Sequence, residues 1–549
     1  MTVRTFNPMR LACIVAGLAM LPVTAIAQEA EDGGESRQRS EISPYIEAAQ
    51  VLQAELSPGD DVVTYSRLAA GVDATITGRN SAAAVSLRYE RRIGWSDDAP
   101  DGDVISGLAR GSLAIVPREL TLEAGAMATH TRVDGGGAAS IGPFADANSE
   151  SQIYSLYAGP SLTTQMGDVQ VEAHYRIGYN RVEAPEVLSV APGADPVDVF
   201  DDSTVHLANA RIGTSPTDGP LPVGVGVGGG FYQEDLSNLD QRVRDTYVRG
   251  DVMVPLSPNV ALVGGVGYED VEISSRDALR DPVTNAPVIG SDGRFVTDES
   301  QPRQIAYQTD GLIWDVGVVW RPSRRTSLEA HVGRRYGSTS FYGTFSYAPS
   351  QRSSLNIAVY DNVAGFGGQL TNALSNLPAD FTAFRNPLTG ELAGCLVGSE
   401  GSACLNGVLG SVRSATFRAR GVAAAYGRSY GRLSLGIGAG YDRRKFIAAE
   451  GTVLAAANGL VDETWWIGAS ANYSIDQRSG LSGNVYANWF DSSASSLGDL
   501  SSYGATANYW RNLTEKLSAN AAISVDAISR EMLDDLIVAS ALVGMRYQF

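Results

Sequence analysis

One pattern constrains this chain more than any other. From Ile42 to the C-terminus, runs of about 10–16 residues alternate apolar and polar side chains. In residues 169–180, Val169, Val171, Ala173, Tyr175, Ile177 and Tyr179 alternate with Gln170, Glu172, His174, Arg176, Gly178 and Asn180. In residues 81–95, Val85, Leu87, Tyr89, Ile93 and Trp95 share a face that only Arg91 interrupts. Ser86, Arg88, Glu90 and Arg92 occupy the other. Near the C-terminus Leu481, Val485, Ala487 and Trp489 oppose Ser482, Asn484 and Asn488. A strand repeats every two residues, so each run has one apolar and one polar face.

Turn residues separate the runs at 78–80, 117–119, 166–168, 217–219, 257–259, 322–324, 349–351, 430–432, 476–478 and 512–514. Longer connections lie at 133–149, 184–201, 277–302, 366–411 and 449–461. Short turns alternating with long loops are the plan of a bacterial outer-membrane barrel. The predicted fold is therefore all-β: a large transmembrane antiparallel β-barrel of about 22 strands, within about 20–24, with no plug domain. Its length of 549 residues alone would suggest about three or four domains, but the pattern is uniform from 42 to 549 and predicts one barrel. With 60 Gly against 23 Pro, the composition suits a wall of small residues around an open lumen. Trp95, Trp320, Trp465, Trp489, Tyr509 and Trp510 fall near predicted strand ends, where interfacial girdles sit.

The N-terminus reads as a secretory signal peptide over residues 1–27. Arg4 and Arg10 precede an apolar core at 11–21, and Ala25-Ile26-Ala27 forms a cleavage site before Gln28. Residues 28–41 are predicted to be a short disordered periplasmic arm. No stretch reaches about 18 consecutive apolar residues, so no membrane-spanning helix is predicted. At the other end Val543, Met545, Tyr547 and Phe549 alternate with Gly544, Arg546 and Gln548. A strand closing on a terminal aromatic is the expected insertion signal for the barrel-assembly machinery. It must also pair with the first strand, near residues 44–52, to close the cylinder. The expected location is the outer membrane, in contact with its lipid and lipopolysaccharide.

Little points to catalysis. The four histidines, His130, His174, His206 and His331, are scattered over different runs without metal-ligand spacing. The glycine-rich stretch 224–230 lacks the Lys-Ser/Thr of a phosphate loop and alternates with valine as a strand would. No enzyme activity, cofactor or metal is expected. A net charge of −19 argues against nucleic acid as a partner. Cys395 and Cys404 lie in the longest loop, and in an oxidising envelope a disulfide between them is predicted. It would stiffen loop 366–411, the predicted obstruction of an otherwise leaky lumen.

Charged side chains on the predicted lumen face make the candidate functional set: Arg88, Glu90, Arg92, Glu123, Glu172, Arg176, Arg249, Asp251, Asp315, Glu329 and Arg335. In hydrocarbon each would cost several kcal/mol, so they must face water or one another. They either line a permeation path or cross-link the wall in ion-pair ladders, and the mixed signs favour ladders.

Five segments carry a family resemblance: S-P-Y-I-E-A-A-Q-V-L at 43–52, Y-A-G-P at 157–160, Y-R-I-G-Y-N-R-V-E-A-P at 175–185, G-R-R-Y-G-S-T-S-F-Y-G at 333–343 and Y-D-N-V-A-G-F-G at 360–367. They resemble uncharacterised outer-membrane β-barrel proteins, similar to the exopolysaccharide-associated (PEP-CTERM system) barrels and the β-barrel porins. The resemblance implies the fold and the location, and assigns no site residues. The expected function is a passive porin-like channel for small polar solutes. The alternatives are a component of surface polysaccharide export or assembly and a structural barrel with partner-binding loops. The oligomeric state is left open.

Overall fold

In the computed structural model, the described residues are 39–549 apart from 97–98, 134–138, 141–149, 184–187, 190–195, 198–201, 217–221, 351, 382–384, 392–394, 399–400, 410–411, 414, 495–498 and 532. The predicted signal peptide, 1–27, and the arm up to residue 38 lie outside them.

Twenty-two antiparallel strands form one closed ring. They are β1 (Arg39–Ser57), β2 (Val62–Thr77), β3 (Ser81–Gly94), β4 (Gly102–Val116), β5 (Leu120–Val133), β6 (Glu150–Met166), β7 (Val169–Glu183), β8 (Asp202–Thr214), β9 (Gly224–Leu236), β10 (Gln241–Ser257) and β11 (Val260–Ser275). The ring continues with β12 (Gln304–Ser323), β13 (Thr326–Arg335), β14 (Ser338–Ser350), β15 (Ser353–Ala364), β16 (Phe417–Tyr430), β17 (Leu433–Phe446), β18 (Val461–Ser474), β19 (Ser479–Ser492), β20 (Leu500–Asn512), β21 (Leu517–Arg530) and β22 (Leu533–Gln548). Each strand pairs with its neighbours in sequence. The ring closes where β22 pairs with β1, from Tyr45 opposite Gln548 to Ser57 opposite Ile537. The Phe549 backbone N–H donates to the Pro44 carbonyl at 3.0 Å, so the terminal residue also ties down the seam.

The first strand corrects the predicted arm. Residues 39–41 are already strand, with Arg39, Ser40 and Glu41 opposite Thr77, Ile76 and Thr75. Their polar composition reads as disordered, but β2 runs far enough to offer its backbone groups, and strand pairing then outweighs composition.

Ten connections lie at the end that carries both ends of the ring, and most are tight, such as 167–168 and 431–432. The long connections 276–303, 365–416 and 447–460 lie at the opposite end.

The wall is inverted relative to a soluble barrel. Ile46, Leu68, Val227, Val266, Leu312, Ile523 and Val543 are exposed on its outside. Arg67, Arg88, Glu90, Asp245, Glu269 and Asp442 are buried inside. An apolar exterior around a polar lumen is the arrangement of a membrane-spanning barrel, because hydrocarbon solvates the outside and every backbone group is paired in the closed ring. Many of the outward charges sit towards the loop end, while Arg428 and Arg511 face outward near the turn end. Arg91, the exception in its run, pairs there with Asp101 at 2.5 Å and Asp103 at 3.6 Å, and the Tyr268 hydroxyl donates to Asp310 at 2.8 Å. Trp465 and Trp489 face outward near the same end, and Trp320, Tyr509 and Tyr547 near the turn end. Trp510 departs from the predicted girdle. It lies on the lumen face of β20, and its ring covers Gly480, where the absent side chain leaves room for it.

Candidate functional site: the lumen and the segment that crosses it

The lumen holds a folded piece of the chain. The connection 365–416 turns inward from the ring between β15 and β16. Its helix α1 (Phe366–Ser375) packs against β5, β6, β7 and β8. Leu370 and Leu374 of α1, with Phe366, Leu377 and Phe381, meet Leu108, Met127, Ile153 and Val182 on the wall. Those four wall residues form an apolar patch on a lumen face that also carries many charged and polar side chains. Burying each large side chain contributes about 1.5–3 kcal/mol, so the helix is docked as part of a core.

The start of α1 is fixed by one carboxylate. Glu234 of β9 is fully buried and accepts from the backbone N–H groups of Gly365 at 2.6 Å and Gly368 at 2.9 Å. Tyr232 donates to the same carboxylate at 2.5 Å. A negative charge on the unpaired N–H groups at a helix N-terminus satisfies them and favours the helix dipole. The hydroxyl of Thr371, one turn further, lies 3.0 Å from the Asn180 amide nitrogen.

The segment then reaches the wall near the seam as a tight turn. Asn386 donates its backbone N–H to the Glu391 carbonyl at 2.8 Å, and its side chain accepts from the Leu388 N–H at 2.9 Å. Gly390 completes the turn with a φ of 74°, a conformation glycine adopts without steric cost. The Arg385 guanidinium reaches Ser86 and Ser106, donating to the Ser86 carbonyl at 2.8 Å and the Ser106 hydroxyl at 2.9 Å. Burial lowers the pKa of this guanidinium below its ordinary value, yet an arginine stays charged there. Arg67 donates to the carbonyls of Leu388, at 2.9 Å, and Pro387. The Glu391 carboxylate takes the hydroxyl of Thr129 at 2.5 Å and the backbone N–H of His130 at 3.1 Å. The Asn386 amide donates to Thr506 at 3.2 Å, and Leu388 packs on Val51, Tyr65 and Leu542.

Two further pieces complete the segment. Cys395–Gly398 and Gly401–Cys404 form a small hairpin that places Cys395 opposite Cys404, and Cys404 is disulfide-bonded. The short helix α2 (Asn406–Leu409) packs against β17 and β18. Leu396, Leu405 and Leu409 join the same apolar cluster as α1.

The charged residues expected on the lumen face all lie there, and most are paired. Arg88, Glu90 and Arg92 form a ladder with Glu47 and Arg67: Arg88 to Glu47 at 2.8 Å, Arg88 to Glu90 at 3.0 Å, Arg92 to Glu90 at 3.1 Å and Arg67 to Glu90 at 3.3 Å. Arg67 carries this ladder to the inserted turn. A second ladder runs along β8, β10, β12 and β13. Arg211 meets Asp251 at 2.6 Å, and Arg249 meets Asp251 at 3.4 Å and Asp315 at 2.6 Å. His331 lies between Asp315 at 2.9 Å and Glu329 at 3.1 Å. Arg335 joins Asp245 at 2.8 Å and Glu269 at 3.2 Å. Glu123 lies 3.6 Å from Arg110, and Arg176 stacks over the Tyr157 ring at 5.5 Å. Glu172 is exposed on the lumen. The ladder needs glycine at one point: a side chain at Gly265 would overlap the Arg249 guanidinium that lies across it.

Space remains on the far side of the lumen from the inserted turn. A cavity of about 330 Å³ lies along β7 to β15, lined by Glu172, His174, Asn209, Tyr247, Arg249 and Tyr342 among others. A second, of about 200 Å³, shares Asn209, Tyr247 and Arg335 with it and reaches Thr371 and Asn372 of α1. The wall of these cavities carries both signs of charge, already largely neutralised in pairs, with tyrosine and asparagine between them.

Sequence reasoning missed Glu47, Arg67, Arg211, Glu234, Asp245, Glu269 and the segment's own Arg385 and Glu391. Four apolar residues on the lumen face, Leu108, Met127, Ile153 and Val182, were the available signal that something docks there.

No family model matches the chain, and no curated protein is similar to it. The resemblance to exopolysaccharide-associated barrels therefore rests on the five segments alone. Among solved structures, the chain is similar to the ferric-catecholate import receptor Fiu from E. coli K12 in its open form, with 11% identity, a TM-score of 0.43 and coverage of 94% of this chain and 82% of that one. It is similar to the FrpB iron transporter from Neisseria meningitidis (F5-1 variant), with 9% identity, a TM-score of 0.41 and coverage of 92% and 82%. It is also similar to the alcaligin outer-membrane receptor FauA from Bordetella pertussis, with 13% identity, a TM-score of 0.35 and coverage of 94% and 77%. At these scores the likeness says nothing of substrate or mechanism.

Proposed function

We propose that this protein is an outer-membrane channel for the passive diffusion of small polar solutes, narrowed by its own segment 365–416. The observation that carries the reading is the inverted ring with a docked segment on one side of its lumen and a polar cavity left on the other. A ring of twenty-two strands is wide enough to enclose an aqueous passage, since 16–18 strands already do so in porins. Balanced charges along the cavity admit solutes of either sign and favour neutral polar ones. Planar bilayers test this: purified, folded protein is expected to give discrete ohmic steps. Absence of any conductance would sink the channel reading.

A second reading, a structural barrel with a sealed lumen, is favoured by one observation. The segment is held by an apolar cluster with leucines on both sides, as a permanent element would be. It predicts folded protein, no conductance, and no change when the cavity residues are substituted.

A further inference from the structure

The outward face of the barrel changes character between β13 and β17. Elsewhere near the loop end, outward arginines are matched by carboxylates: Arg91 by Asp101 and Asp103, Arg181 by Glu183 and Asp202, Arg242 by Asp235, and Arg244 by Asp270. From β13 to β17, among the described residues, the outward cations Arg334, Arg418, Arg420, Arg443 and Lys445 stand against a single outward carboxylate, Asp361. Glu463 reaches Arg443 from β18 at 3.1 Å, and beyond it the face turns acidic again at Asp491 of β19. Arg334 and Lys445 are exposed and have no carboxylate partner. On a chain of net charge −19, this is a local surplus of positive charge.

A split in the wall holds these cations in place. Pairing of β14 with β15 stops at Gly343 and Val359, so 338–342 and 360–364 are not paired with each other. Across this split Arg418 donates to the Ser338 hydroxyl at 2.6 Å and Arg420 to the Thr339 carbonyl at 2.8 Å. Asp361 takes Arg418 at 2.7 Å and Arg420 at 3.2 Å, so two guanidinium groups share one carboxylate. Arg420 stays 31% exposed, and the N–H groups on its Nη1 are unused. Thr339 lies opposite Arg334, which brings that exposed guanidinium to the same lip. On the far side Lys445 lies opposite Arg418, and Arg443 opposite Arg420.

The level is that of lipid headgroups. One step towards the turn end from these cations lie outward aromatics. The Arg420 guanidinium sits over the Phe341 ring at 5.9 Å, and Tyr441 lies against Trp465 with ring centroids 4.3 Å apart. Phe341 and Trp465 are exposed. Such aromatics mark the edge of the hydrocarbon, and the phosphates of the lipid lie just beyond it. Arginine and lysine are the side chains that bind phosphate. The patch is also wide: β13 and β17 are four strands apart, about 19 Å at the spacing of neighbouring strands. A single phosphate covers only one part of it. We propose that this face is a binding site for a phosphorylated glycolipid of the outer leaflet, one with a phosphate at each end of its sugar core, as in the lipid A of lipopolysaccharide. Arg334 takes one phosphate, Arg420 and Lys445 the other, and the acyl chains lie on the aromatics below. The proposal rests on the outer-membrane location and is independent of whether the lumen conducts.

The test is native mass spectrometry of the full-length protein, refolded without lipid in dodecyldimethylamine oxide. EDTA is kept present so that no divalent cation bridges a carboxylate to a phosphate. The probes are hexa-acyl lipid A with both phosphates, the same lipid with both removed, and phosphatidylglycerol. The bisphosphorylated lipid is expected to bind about tenfold or more tightly than either of the others. In the double variant Arg334→Gln, Lys445→Gln, whose side chains make no ion pair in the protein, its affinity is expected to fall about tenfold. The control Arg91→Gln, Arg244→Gln, on matched parts of the same outward face, is expected to bind as the native protein does. Equal binding of the phosphate-free lipid or of phosphatidylglycerol would overturn the proposal. So would unchanged affinity in the folded double variant, or an equal loss in the control. Should the double variant not fold, the comparison of the three lipids on the native protein decides alone. Conductance does not enter the readout, so loss of the channel reading leaves this site standing.

Discussion

At the scale of single residues, the lumen is held together by charges that depend on one another. Asp315 serves both Arg249 and His331, at 2.6 and 2.9 Å. Arg249 in turn needs the bare backbone of Gly265 beneath it. Gly265→Val is therefore expected to push the guanidinium off Asp315 and leave a buried carboxylate short of a partner, at a cost of about 1–3 kcal/mol. Urea unfolding in detergent, compared with the neighbouring control Gly264→Val, measures it. Gly264 faces open space at van der Waals range, so its substitution should cost much less. Equal losses in the two variants would argue against the ladder. Period-two alternation made the side of the wall legible: every lumen charge named from sequence points inward. The partner of each charge was not legible. Arg88 finds Glu47, forty-one residues away, through a register that only the closed ring fixes. Glu234 was hidden for the same reason, since nothing marks it among the acids until α1 arrives above it.

At the scale of elements, the segment 365–416 behaves as a docked domain in miniature. Its helix is capped by Glu234 and glued by Leu370 and Leu374, and its turn is pinned by Arg385 and Glu391. Removing the cap in Glu234→Ala takes away the carboxylate from two backbone N–H groups and is expected to weaken α1 docking by about 1–2 kcal/mol. The double change Leu370→Asp, Leu374→Asp should undock it outright, because each carboxylate would enter the apolar cluster unpaired. Limited proteolysis reports on both. Cleavage within 365–416 should appear in the double variant while the barrel still migrates as a folded, heat-modifiable species. A segment as resistant as in the native protein would contradict the docking. The sequence marked this connection as the longest and as the obstruction of the lumen, from its length and its cysteines. Its helix and its contacts were beyond reach, because they depend on walls contributed by strands two hundred residues away.

For the molecule as a whole, the seam between β1 and β22 decides whether a cylinder exists. Val543, Met545, Tyr547 and Phe549 all face outward, and Phe549 bonds to Pro44 across the seam. Deleting Phe549 removes one hydrogen bond and one outward aromatic of the Tyr547–Phe549 pair, whose ring centroids lie 5.2 Å apart. The folded yield in vivo, read as the heat-modifiable fraction in outer membranes, is expected to fall several-fold. Stability of the molecules that do fold should change by only about 1 kcal/mol, the net worth of a hydrogen bond. The ring, its strand number and its closure were readable because alternation and turn spacing are local and repeat along the chain. The lumen's contents were not, because they are built from contacts across it. The central claim is that the docked segment, rather than the wall, sets the size of the passage. Single-channel conductance of the native protein and of a variant with 366–411 replaced by a short glycine-serine linker tests it most directly. The account predicts small steps from the native barrel and steps several-fold larger from the variant, while equal conductance from two folded proteins would contradict it.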